Sequence, residues 1–196
     1  MNRRNFLLGT TAVVAASGAT FALWPFVDQM NPDADIAALG DGKALDLSIV
    51  SPGQPAIISW RNLPIFIVQR NVAAQEALRQ SSWTRQLRYP QSTRRQQPAF
   101  AQNWHRSMTP ETGVFIGICT HCRCKIVFEA TSVSTQPDGF ICPCCASRYD
   151  LAGRAFAGPS QFNLPVPPYA FDATQHLEIG GNAREAMSFM KDIERL

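Results

Sequence analysis

All six cysteines of this chain fall in two short boxes, CTHCRC at residues 119–124 and CPCCASRYD at residues 142–150. Thiolates are soft ligands that suit zinc, mononuclear iron or iron–sulfur clusters, so a cysteine–histidine box followed by a cysteine–proline–cysteine box reads as a metal site. Cys119, Cys122, Cys142 and Cys145 are spaced C-x2-C-x19-C-x2-C, within the range of four-thiolate zinc or mononuclear iron sites. A head holding no metal and only disulfides also fits an oxidising compartment.

Short strands must position these boxes. Residues 114–118 (VFIGI) lead into the first box and residues 125–130 (KIVFEA) lead away from it. Residues 139–141 enter the second box, and residues 149–156 leave it through a turn at Ala152-Gly153. Upstream, residues 44–50, 55–61 and 63–68 are β-rich runs, expected to form one small antiparallel sheet. Residues 72–80 predict a short helix, and the polar stretch 81–107 an irregular insertion. His105 lies near its end with nothing of ligand spacing around it, and reads as a packing residue. Residues 176–179 read as a closing strand and residues 182–196 as an amphipathic helix.

The two boxes resemble the cluster loops of Rieske iron–sulfur proteins, whose pattern is C-T-H-L-G-C and C-P-C-H-G-S-x-Y-D. The resemblance extends to residues 60–66 (WRNLPIF) and to the proline loop that starts at Gly158-Pro159. It implies a mainly β protein with an N-terminal transmembrane helix, a flexible linker and an antiparallel β head carrying a small metal-binding subdomain. It makes Cys119, Cys142 and His121 ligands of a 2Fe–2S cluster and pairs Cys124 with Cys144 in a disulfide. It also gives Ser147 and Tyr149 hydrogen bonds to cluster or ligand sulfurs. The implied activity is electron transfer from quinol to a c-type cytochrome within a quinol–cytochrome c reductase, beside cytochrome b.

This chain departs from that pattern at the metal. The second ligand histidine is Cys145, the Leu-Gly of the first box is Cys122-Arg123, and the glycine of the second box is Ala146. The ligand set is therefore open among Cys119, His121, Cys142 and Cys145 around a 2Fe–2S cluster, the four-cysteine set with Cys122 around zinc or one iron, and no metal at all. A thiolate in place of a neutral imidazole adds negative charge and lowers the potential. Rieske centres span roughly −150 to +300 mV against about −400 mV for all-cysteine plant-type ferredoxins.

The N-terminus supplies the address. Arg3-Arg4-Asn5-Phe6-Leu7 resembles a twin-arginine export signal, which serves proteins exported already folded, and residues 6–26 carry no charge. At ~1.5 Å per residue that stretch can span a bilayer core of ~30 Å. The expected placement is single-pass in a bacterial inner membrane with the head in the periplasm. The expected divisions are anchor 1–26, hinge linker 27–43, base sheet with insertion 44–113, cluster subdomain 114–160, return to the base 161–180, and C-terminal helix or tail 181–196. A net charge of +3 with scattered arginines gives no case for nucleic acid; Arg85, Arg88, Arg94 and Arg95 read as a solvated face.

Overall fold

The structure is a computed structural model that describes residues 2–28, 43–130, 138–174, 176–180, 188, 189, 191, 193 and 194. Most of the hinge expected at 27–43 and of the C-terminal helix expected at 182–196 lies outside the described residues. The chain divides into two compact units, Met1–Ala38 and Leu39–Leu196.

The first unit contains helix α1, Arg3–Asp28. Phe6, Leu7, Leu8, Val13, Val14, Leu23 and Trp24 are all exposed on it. The hydroxyls of Thr10, Thr11 and Ser17 bond back to carbonyls three or four residues earlier, so the helix satisfies its own polar side chains. Among the described residues no helix is both long enough and apolar enough to cross a membrane.

Among the described residues, the second unit holds three antiparallel sheets. The base sheet runs β2 (Ala56–Trp60), β3 (Leu63–Gln69), β4 (Thr112–Ile116). β2 and β3 are joined by Arg61 and Asn62, both at positive φ (49° and 62°), a two-residue turn whose twist matches that of paired strands. As the central strand, β3 is covered on both faces, and Ile65, Phe66, Ile67 and Val68 are all buried. Helix α2 (Val72–Arg79) follows, its N-terminus capped by the Asn71 side chain accepting the Ala74 amide.

One expectation fails here. Residues 44–50 do not add a strand to this sheet. β1 is only Lys43–Leu45 and pairs instead with β10 (Leu177–Ile179), which pairs with β9 (Tyr169–Phe171). Asp46 ends β1 by accepting the Ser48 amide at 2.8 Å and starting a single 3-10 turn. The third base strand is β4, whose five residues are all buried. A buried apolar strand from far along the chain thus takes the place given to a nearer but more polar segment.

The third sheet holds the second cysteine box. Its order is β5 (Val127–Glu129), β6 (Gly139–Ile141), β7 (Arg148–Asp150), β8 (Ala155–Ala157). Residues 149–156 thus leave the box as two strands around a tight turn, as expected at Ala152-Gly153. Phe140 on β6 joins this sheet to the base. Its ring meets Phe66 at 4.9 Å, Phe128 at 6.0 Å and Phe115 at 6.4 Å, each edge to face, a favoured arrangement of aromatic quadrupoles.

Three buried arginines also tie the third sheet to the base, through the turn at Asp150–Arg154. Arg154 pairs with Asp150 at 2.7 Å and donates to the Leu78 carbonyl at the end of α2. Arg70, just past β3, donates to the Leu151 carbonyl at 3.1 Å. Arg106 donates to the Ala152 and Gly153 carbonyls and, from its other nitrogen, to Leu164 at 2.7 Å. Burial holds the Arg70 and Arg106 guanidiniums down to about 10 and about 9, still protonated at neutral pH. His105 packs in the same region, edge-on to Trp104 and bonded to Ser107. Desolvation, then the charge of Arg70, holds its imidazole down to about 4. Arg85, Arg88, Arg94 and Arg95 are exposed.

Candidate metal centre

β4 delivers the chain through Gly117 and Ile118 into the first box, and β6 delivers it into the second. The two boxes then fold alike. In the first, the Cys119 amide donates to the Cys124 carbonyl at 2.8 Å and the Arg123 amide returns to the Cys119 carbonyl at 2.9 Å. In the second, the Cys142 amide donates to the Ser147 carbonyl at 2.8 Å and the Ala146 amide returns to the Cys142 carbonyl at 2.8 Å. Arg123 and Ala146 occupy matching places, with φ of 61° and 55°. This left-handed conformation is disfavoured for residues with a Cβ, and here the surrounding hydrogen bonds impose it.

In each loop the first and fourth residues turn inward. Cys119, Cys122, Cys142 and Cys145 place their sulfurs within 4.8 Å of one another. Three separations are 3.6 Å (Cys119–Cys145), 3.4 Å (Cys122–Cys142) and 3.5 Å (Cys122–Cys145). The third residue of each loop, His121 or Cys144, is exposed. Cys144 is bonded to Cys124 in a disulfide with a Cα–Cα distance of 6.4 Å. Of the ligand residues considered from sequence, the structure therefore brings together Cys119, Cys122, Cys142 and Cys145, and leaves His121 outside the group.

Two hydroxyls address this cage. Tyr149 places its phenol 3.4 Å from the Cys119 sulfur, and Ser147 places its hydroxyl 3.2 Å from the Cys145 sulfur. Ser147 accepts the Ser160 amide at 3.1 Å, leaving its own proton free for the sulfur. Burial opposes ionisation of Cys119, but bonds from Tyr149 and from the Cys122 and His121 amides outweigh it and bring the thiol down to about 6. Burial and the Cys122 thiol push Cys142 up to about 12, and burial also raises Cys122. The cage thus starts from one readily formed thiolate, Cys119, beside the raised Cys122 and Cys142 thiols; a bound cation would draw the remaining protons off.

The proline loop lies against the second box. Gly158 has φ of 80°, and a Cβ there would lie 2.5 Å from the Ser147 Cα and 2.7 Å from the Ala146 carbonyl oxygen. Pro159 follows it, and Arg88 donates to the Gly158 carbonyl. The arginine-bound turn was not identified from sequence. Buried arginines leave no periodic signal, and only the contacts distinguish Arg70, Arg106 and Arg154 from the exposed ones.

The donors are four thiols in one compact group with no imidazole among them. They do not fit a two-iron centre with two thiolate and two imidazole ligands, which needs a second histidine where Cys145 stands and a first that faces inward.

The class is that of antiparallel β heads with a paired-loop metal site behind an export signal. The fold is similar to that of a chain in the solved structure of a hyperthermophilic respiratory Complex III, at a TM-score of 0.50 and 21% identity, over 86% of this chain and 96% of that one. Residues 1–33 match the family model described as "Ubiquitinol-cytochrome C reductase Fe-S subunit TAT signal". The ubiquinol–cytochrome c reductase iron–sulfur subunit of Bradyrhizobium diazoefficiens is 39% identical over 91% of this chain and 94% of its own. That of Rhodospirillum rubrum is 37% identical over 91% and 92%, and that of Allochromatium vinosum 39% over 86% and 84%. The chain belongs to the family of ubiquinol–cytochrome c reductase iron–sulfur subunits.

Proposed function

We propose that this chain is the electron-carrying iron subunit of a membrane complex of the quinol–cytochrome c reductase kind. Residues 6–26, with apolar side chains exposed along α1, tether it at the bacterial inner membrane although α1 falls short of the apolarity of a membrane-crossing helix, and the head works in the periplasm. Its partners are a cytochrome b, a c-type cytochrome, and quinol at a site shared with the cytochrome b. The observation that carries this reading is the 39% identity to such a subunit along 91% of the chain, beside the separate signal match over residues 1–33.

The chain's own residues define what this carrier does. Cys119, Cys122, Cys142 and Cys145 are the residues that would hold the iron; the disulfide between Cys124 and Cys144 fixes one loop to the other; Ser147 and Tyr149 place hydroxyls at the Cys145 and Cys119 sulfurs. The bound iron supplies one-electron chemistry. A neutral imidazole could accept a proton from quinol, and the family pattern has one where Cys145 stands. Cys145 would offer a metal-bound sulfur instead, so the cage itself holds no neutral imidazole to take the proton that leaves quinol with each electron. The extra negative charge of an all-thiolate site also favours the oxidised iron. The carrier therefore works at a lower potential than one with imidazole ligands.

The test is to purify the complex from membranes with this chain tagged, and to follow haem c reduction by quinol. Co-purified haem b and haem c, with quinol-driven haem c reduction lost when the chain is deleted, is the expected result. A chain that purifies without haem, or whose deletion leaves the rate unchanged, overturns the reading.

A further inference from the structure

We infer that the four thiolates hold one metal ion, a mononuclear iron in a tetrahedral site, and not a two-iron cluster. This rests on the electron-carrying reading above for the choice of iron, and on geometry alone for the number of ions.

A metal–sulfur bond of ~2.3 Å places the four sulfurs of a tetrahedral site ~3.8 Å apart. The cage has separations of 3.6, 3.4 and 3.5 Å, and every pair is within 4.8 Å. A two-iron cluster divides its four ligands into two pairs, one on each iron, with two metals and two bridging sulfides between the pairs. There are three ways to divide these cysteines. Pairing Cys119 with Cys122 puts all three short separations across the cluster. Pairing Cys119 with Cys142 puts two across it, and pairing Cys119 with Cys145 puts one. Every division leaves at least one cross-cluster pair at 3.6 Å or less, which is one-metal spacing.

The backbone leads to the same count independently. Both loops carry the same pair of hydrogen bonds and the same left-handed residue, and in both the inward positions are the first and fourth. Two loops of matching backbone, each offering its first and fourth cysteine, surround one point, as a single tetrahedral ion requires. The sequence changes act together: Cys122 and Cys145 are the two fourth positions, and neither alone completes the set. The redox step is the gain of one electron by the ferric ion from a reduced quinol species, and its loss to a ferric haem, with no bond made or broken at sulfur.

The experiment is iron, zinc and acid-labile sulfide analysis of the full-length protein purified from membranes, with visible spectra before and after dithionite. One iron per chain, no sulfide, and an absorbance that bleaches on reduction is the expected result. Two irons with two sulfides overturns this inference and leaves the electron-carrying reading standing. One zinc overturns both. The variants His121→Ala and Cys122→Ser separate the ligand sets. His121→Ala is expected to keep its iron and spectrum, and a loss of iron in it overturns the four-thiolate assignment. Cys122→Ser is expected to lose iron or shift its spectrum, and an unchanged spectrum with full iron overturns it too.

Discussion

The phenol of Tyr149 stands 3.4 Å from the Cys119 sulfur while accepting the Thr120 amide at 3.3 Å. With that amide on its oxygen and the Thr120 hydroxyl 3.1 Å away able to donate to it, the phenol can turn its proton to the sulfur. Burial, and then the Cys119 sulfur, raise the phenol above its ordinary range, so it remains a donor at any pH the protein meets. Tyr149→Phe removes the donor and keeps the ring in the core. Metal affinity should fall about 10-fold, the low end for losing a partner of a ligand, with the fold intact. Competition against a chromophoric chelator measures it, and circular dichroism checks the fold.

The disulfide between Cys124 and Cys144 closes a loop with a sequence separation of 20. Constraint of the unfolded chain over such a loop is worth about 3 kcal/mol. The double variant Cys124→Ser, Cys144→Ser should therefore unfold at a lower temperature, by roughly 6–12 °C for a domain of this size. Thermal scans of the metal-loaded variant against the parent give the shift. Adding a reductant strong enough to open the bond should move the parent toward the variant and leave the variant where it is.

Asp150 is the carboxylate of the arginine-bound turn. It accepts the Ala152 and Arg154 amides at 2.9 Å each and the Arg154 guanidinium at 2.7 Å. Asp150→Asn removes the charge that compensates a buried guanidinium, and the expected loss is about 3–5 kcal/mol. Denaturant melts are the measurement; a loss below about 1 kcal/mol would mean the turn is held chiefly by the other arginines.

His105 gives a pH signature. Burial holds it down to about 4 in the folded protein, against about 6.5 when unfolded. Between those values the unfolded chain binds the proton and the folded chain does not, so stability rises with pH there. The contribution is complete above about pH 6.5 and lost as the pH falls toward about 4. His105→Gln should flatten that part of the stability-against-pH curve, read from melting temperatures in a buffer series, and leave the part above pH 7 unchanged.

The sequence made the chemistry legible because the metal residues are themselves the signal. Cysteines at fixed spacing name a thiolate site, and Ser147 and Tyr149 were identifiable by their place in the second box. What spacing could not do was choose between His121 and Cys122. They are neighbours, and only the direction of the loop backbone turns one out and the other in. The strand assignments held where a run is apolar and bounded by turn residues, as at β2 and β3. They failed at residues 44–50, because which strand pairs with which is decided by burial across the whole head. Phe140 and the three arginines, which join the sheets, are set by contacts over long sequence separations and had no local signature.

The turn at Asp150–Arg154 has a consequence for how the protein is made. Its carbonyls are held by guanidiniums from Arg70 and Arg106, and its own Arg154 reaches back to Leu78. The sheet that carries the second cysteine box and the base sheet thus share a buried polar joint beside the Phe140 contact, so loss of this turn takes hydrogen-bond acceptors from arginines on the base side as well. Residues 1–33 match a twin-arginine signal model; in a head carried across a membrane already folded, a loop that failed to close at residue 150 would cost Arg70 and Arg106 their acceptors and so loosen the base as well.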